Sequence, residues 1–197
     1  MNTYIARPTS RKRTQFRIAL VILSGFDIAS LSATLESIIA AKKRFGAHLI
    51  SHMTVGLSSS CLSSTSISLT PNLILCDTQL KEYEVIIVVG GSEARLNLDS
   101  RLTEQLYEAA KANRLLGGIW NGAYHLAAAG LTEGYECIIS GDGMFTIEPS
   151  LNERKSTSYW QFDGRRMTSR DASSAVFMMD ALWEHFGESL NGNLART

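Results

Sequence analysis

The order of segments predicts an α/β fold: a three-layer sandwich with a mostly parallel sheet and helices on both faces. Two apolar runs of strand length, "FRIALVIL" (Phe16–Leu23) and "EVIIVVGG" (Glu84–Gly91), read as strands covered on both sides. Segments of helical periodicity separate the strands, which is how parallel strands are joined. The composition, 45% apolar and 19% charged, is that of an ordinary soluble globular chain.

Each element has its own signature. After Phe16–Leu23 the stretch "SGFD" turns, and Asp27 caps a helix in which Leu31, Leu35, Ile38 and Ile39 recur at helical spacing until Gly46 stops it. "HLISHMTV" (His48–Val55) alternates as a strand, with Leu49, Met53 and Val55 among its apolar positions. Gly56–Pro71 is serine-rich, and the apolar residues around Ile67–Leu69 favour short edge strands over a linker. Asp99 caps a helix carrying Leu102, Leu106 and Ala109 on one face. "LLGGI" (Leu115–Ile119) is the next strand, and Gly130 ends the small-residue helix after it. "YECIIS" is a further short strand, and "SYWQFDGRRMTS" is a hairpin turning at Asp163–Gly164. A last helix from Asp171 turns Val176, Met179, Trp183 and Phe186 inward before Gly187.

Charge and cysteine usage narrow the function classes. The 19 basic and 19 acidic residues cancel, so nothing global draws the chain to nucleic acid or an anionic membrane. Cys61, Cys76 and Cys137 form no C-x-x-C pair and read as reduced thiols of a cytoplasmic protein. No apolar run reaches the ~20 residues of a membrane span. The basic N-terminal stretch, with Arg7, Arg11, Lys12, Arg13 and Arg17, reads as a solvated arm, bounded at residues 1–15; residues 16–197 read as one domain.

In parallel sheets ligands collect beyond the carboxyl ends of the strands. Three turns fall there and are expected to converge on one pocket: Ser24–Asp27, Gly90–Glu93 and Gly117–Gly122. The last belongs to "GGIWNGAYHLAAAGL", a strand, a sharp turn and a helix, which is the layout of a nucleophile elbow. Its turn residue is Trp120, whose indole offers only an N–H donor.

Four stretches carry a family resemblance: "RIALVILSGFDIASLSATLESIIAA", "EVIIVVGG", "LLGGIWNGAYHLAAAGLTEG" and "DGRRMTSRDASSAVFMMDALWEHFG". Together they resemble the class I glutamine-amidotransferase-like (PfpI-type, flavodoxin-like) fold, in the version found as the N-terminal domain of AraC-type transcriptional regulators. The resemblance spans roughly Phe16 to Arg196. It implies a dimer and a C-terminal helix-turn-helix DNA-binding domain beyond this chain, which ends at "NLART" about where the linker is expected. Enzymes of that superfamily place a cysteine at the elbow, a glutamate on the first helix and often a histidine after the next strand. Glu36 stands at the glutamate position, Trp120 at the cysteine position, and Ser140–Gly141 where related domains often carry His-Trp. The resemblance therefore implies the fold and argues against the activity, since acyl transfer needs a nucleophile and a base in reach.

The candidate ligand-binding residues are Glu36, Trp120, Asn121, Gly91, Ser92 and Ser140. Glu36, in an apolar stretch, calls for a partner or a proton; paired with the Trp120 face it suits an amine, guanidinium or quaternary ammonium ligand. Asn121, Gly91 and Ser92 suit a carboxylate, so that a zwitterion would use both halves. The plainer readings are that Trp120 plugs the pocket and that Gly90 and Gly91 only permit a tight turn. His125 is expected partly exposed and facing away from Trp120. His48 and His52, four apart on a strand, offer no metal geometry, and no cofactor is implied.

The leading expectation is a non-catalytic, metabolite-sensing and dimerising domain of an AraC-type regulator, reaching DNA only through the missing domain. The alternatives are a hydrolase using Ser92 or Ser140 with His125, and a pure dimerisation scaffold.

Overall fold

The computed structural model describes residues 15–91, 98–141, 144–148 and 159–194. In chain order the elements are β1 (Phe16–Ile22), α1 (Ile28–Phe45), β2 (Ile50–Gly56), β3 (Cys61–Leu62), β4 (Ser68–Leu69), β5 (Leu73–Ile74), β6 (Val85–Val89), α2 (Ser100–Lys111), β7 (Leu115–Ile119), α3 (Gly122–Ala128), β8 (Cys137–Gly141), β9 (Met144–Glu148), β10 (Trp160–Asp163), β11 (Arg166–Ser169) and α4 (Ala172–Leu194). The main sheet has seven strands in the order β10-β11-β7-β6-β1-β2-β5. Every neighbouring pair is parallel except β10 with β11, so the fold is the mostly parallel α/β architecture the sequence predicts.

Alternation along the strands builds two cores, because successive side chains leave a strand on opposite faces. Ile18, Leu20, Ile22, Ile87 and Val89 pack against Ile38 and Phe45 of α1 and Met178, Met179 and Leu182 of α4. Ala19, Val21, Ile86 and Val88 pack against Leu102, Leu106 and Ala109 of α2 and Leu126 of α3. The caps fall where the sequence places them. Asp27 accepts hydrogen bonds from Ser30 N–H (2.8 Å) and Ser30 Oγ (2.6 Å), and Asp99 accepts from the N–H groups of Arg101 and Leu102. Gly46 ends α1 with φ +107°.

Several local expectations are corrected. The serine-rich stretch holds β3 and β4, which pair with each other and not with the main sheet; the sheet edge is β5. His48 lies in the turn before β2, with its ring against Gly46, so only His52 is on the strand. Met53 and Ile39 face outward, 41% and 47% exposed. The hairpin turns at Gly164–Arg165, one residue later than expected, because Asp163 stays in register with Arg166 and its carboxylate accepts Glu136 N–H (2.9 Å). β9 pairs antiparallel with β8, and Thr168 Oγ1 fastens that hairpin to the sheet by accepting Ile138 N–H (2.7 Å). α4 runs through Gly187 to Leu194 and turns Ala175, Met178, Met179, Leu182 and Trp183 inward, while Val176 points out.

Arg166 is a buried cation in this frame. Its Nε donates to Leu131 C=O, its Nη1 donates to Arg165 C=O (2.9 Å), and its guanidinium lies 4.6 Å from the Tyr135 ring centroid. Burial pushes its pKa down, opposed by Tyr135 and Cys137.

Candidate functional site

The elbow forms as the sequence implies. β7 ends at Ile119, Trp120 takes the left-handed conformation (φ +53°), and Asn121 returns to helical angles as α3 begins. A non-glycine residue in that region costs about 1–2 kcal/mol. Two backbone bonds hold it there: Trp120 N–H donates to Ser169 C=O (3.0 Å), and Trp120 C=O accepts Ala123 N–H (3.1 Å). The Trp120 side chain is half-buried and packs against the core on the α1/α4 side.

Glycines let the neighbouring turns press onto this point. A Cβ on Gly122 would stand 2.0 Å from Val88 C=O, and one on Gly91 would stand 2.4 Å from Gly25 C=O. Asp27 N–H donates to Gly90 C=O (2.9 Å), and Gly90 N–H donates to Ile119 C=O (3.0 Å). The described parts of the three strand-end turns therefore meet, backbone against backbone; residues 92 and 93 of the second turn lie outside the described residues. Gly90 and Gly91 serve that close approach.

The predicted site residues divide. Trp120, buried Asn121 and buried Gly91 meet at the strand ends. Ser92 lies outside the described residues. Ser140 is on β8, opposite Phe145 in register, in the separate hairpin sheet. Glu36 is exposed and accepts a hydrogen bond from Ser32 Oγ (3.4 Å). It borders a groove of about 480 Å³ between α1 and α4, with Ser37, Arg44, Asp180 and Trp183 among the lining and Trp120 not among them. The Glu36–Trp120 clasp is thus not formed, and an exposed carboxylate needs no buried partner. The reason is rotational: α1 buries Leu31, Thr34, Ile38 and Ala41, which leaves Glu36 on the opposite side.

His125 corrects a second expectation. It is 2% exposed, not partly exposed, with Tyr124 edge-on at 6.2 Å between ring centroids. Both faces of short α3 are covered, by the main sheet and by β8.

Two polar groups away from the elbow, His52 and Cys61, serve the fold. His52 Nδ1 lies 3.0 Å from Lys42 Nζ, and burial first, then the lysine charge, hold its pKa below the ordinary 6.5. Cys61 is buried, its thiol donates to Ile22 C=O (3.5 Å), and burial pushes its pKa up, away from reactivity. Among the described residues no three His, Cys, Asp or Glu side chains gather as a metal site, and no helix is long and apolar enough to cross a membrane.

A family model described as the DJ-1/PfpI family matches residues 17–184. The chain belongs to the DJ-1/PfpI family. It is 24% identical over 181 residues to the HTH-type transcriptional regulator GbdR of Pseudomonas aeruginosa, covering 91% of this chain and 49% of that protein. It is 25% identical over 173 residues to the HTH-type transcriptional regulator CdhR of the same species, covering 86% and 51%. The chain therefore spans about half the length of these curated relatives. The crystal structure of an AraC family transcriptional regulator from Pseudomonas putida shares its fold, with a TM-score of 0.73 at 23% identity, covering 91% of this chain and 99% of that one.

This DJ-1/PfpI chain also has a feature that sequence reasoning missed. Beside the elbow, where β10, the end of β11 and the start of α4 meet, Tyr159, Trp160, Asp171, Ser173, Ser174 and Phe177 line a cavity of about 450 Å³. The available signal was the crowding of aromatics in "SYWQF" and of apolar residues all round the start of α4, more than one buried face can use.

Proposed function

We propose that this chain is a non-catalytic, small-metabolite-sensing and dimerising domain of an AraC-type transcriptional regulator. Trp120 carries the reading. It holds the strained φ +53° conformation of an elbow, yet presents an indole where thiol chemistry needs a nucleophile. Keeping the strained turn without the reactive atom suits a receptor that uses the geometry and not the reaction. The similarity to HTH-type regulators about twice as long supports the same reading. An effector would act by binding one of two conformations or dimer arrangements more tightly, biasing a DNA-binding segment that contacts the operator. A hydrolase would need His125 to reach a serine across an open cleft, and its burial weighs against that.

Thermal denaturation of the chain across a broad metabolite panel tests the proposal. A binding effector raises Tm in proportion to the logarithm of its concentration once saturating. The expected result is a concentration-dependent rise for a small chemical class, with no product formed. A flat response across the panel would overturn sensing in favour of a scaffold.

A further inference from the structure

The cavity beside the elbow is lined by residues at the start of two elements, β10 and α4, that meet at one corner of the sheet. Trp160 opens β10, Asp171 caps α4, and Phe177 lies on the second turn of α4. Its volume of about 450 Å³ falls in the range of small-molecule sites. Phe177 is 58% exposed and Tyr159 57%, although α4 has Ala175, Met178 and Met179 to bury. Among the described residues, Phe177 presents a large aromatic face that core packing does not use, while Tyr159 shares its ring with Arg170.

The polar groups give the cavity its chemistry. Asp171 Oδ1 accepts from Ser174 N–H (2.8 Å) and Ser174 Oγ (2.9 Å), whereas its second oxygen takes no hydrogen bond among the described residues. That carboxylate offsets the partial positive charge of the α4 N-terminus. No lysine or arginine is among the lining residues. Neighbouring Arg170 stacks on Tyr159 with its guanidinium 5.1 Å from the ring centroid, so this ring face already accepts a cation. Ser169, the register partner of Trp160, is buried and is not itself among the lining residues.

We propose that this cavity is the effector site and that it takes a compact organic cation. The Trp160 and Phe177 rings hold the charge through cation–π contact, and the second Asp171 oxygen neutralises it. A neutral apolar ligand gains nothing from the second Asp171 oxygen, and an anion is repelled by it. The site rests on the sensing reading above and gives it a route to the elbow, because Ser169 C=O accepts the Trp120 N–H. An occupant that shifts β11 shifts the strained turn with it.

The experiment titrates tetramethylammonium, tert-butanol and benzoate against the 197-residue chain, read by tryptophan fluorescence and calorimetry. Saturable binding is expected for tetramethylammonium alone. Phe177→Ala and Asp171→Asn each weaken it on the order of tenfold, and Glu108→Gln on the far face of α2 leaves it unchanged. Phe177 is exposed and asparagine remains a helix cap, so both variants keep the fold, which circular dichroism checks. An equal response to tert-butanol, a preference for benzoate, or no saturable cation binding overturns the proposal. A metabolite-induced Tm rise that survives both substitutions overturns this site while leaving sensing in place, whereas no rise with any metabolite removes sensing itself.

Discussion

The elbow and the cavity beside it sit at the same edge of the sheet, and they are built in opposite ways. At the elbow, Gly91, Gly118 and Gly122 bring backbone within 2.0–2.5 Å of where a Cβ would stand, and the space is filled by main chain. At the cavity, Tyr159 and Phe177 leave more than half of their surface open. The elbow is a strained, tightly packed support, while the open cavity lies at β10, two strands over from β7. A reaction needs a nucleophile at the strained point; recognition needs only surface near it.

Substitutions sharpen that contrast, from the closed region to the open one. Gly122→Ala puts a methyl on Val88 C=O, and neither backbone can retreat. A loss of about 4 kcal/mol or more, or failure to fold, is expected in urea denaturation. Arg166→Met keeps much of the stem but strips the donors from Leu131 C=O and Arg165 C=O; the expected loss is about 2–3 kcal/mol. Asp27→Ala removes the α1 cap next to the converging turns and should cost about 1 kcal/mol by the same assay. At the cavity, Phe177→Ala should change stability by less than about 0.5 kcal/mol, as expected of an exposed side chain. A large loss there would mean that the aromatic face serves the fold, and the contrast would fail.

One pH effect lies far from both regions and serves as a control. Because the folded protein holds the His52 pKa below 6.5, the unfolded chain binds the proton first as pH falls. Stability contributed by neutral His52 is complete above about pH 6.5 and declines below it, toward the folded pKa. His52→Gln should flatten that decline in denaturation midpoints measured from pH 7.5 to 5, with ligand affinity untouched.

How much was legible depends on how strongly each element's pattern restricts its surroundings. α2 was readable in full, since Leu102, Leu106 and Ala109 are the apolar stripe of an otherwise polar helix and all are buried. β6 was equally plain, five apolar residues all buried. α4 was not, because Ala175, Val176, Phe177, Met178 and Met179 are apolar all round, and only the packing against α1 and the sheet selects the inward face. The same ambiguity hid Phe177 as an open surface. At the site, the elbow was visible in glycine spacing and a misplaced tryptophan. The rotation that turns Glu36 away and the covering of His125 are tertiary outcomes that local spacing does not encode. β9 went unseen because its pairing with β8 carries no turn signal as strong as the Asp-Gly pair of the later hairpin.

The central claim is that the elbow supports recognition without chemistry. Turnover of a panel of esters and amides by the 197-residue chain tests it most directly. The account predicts rates equal to buffer alone, unchanged in His125→Ala. Turnover above buffer that disappears in His125→Ala, or a substrate fragment covalently attached to a strand-end serine, would contradict it.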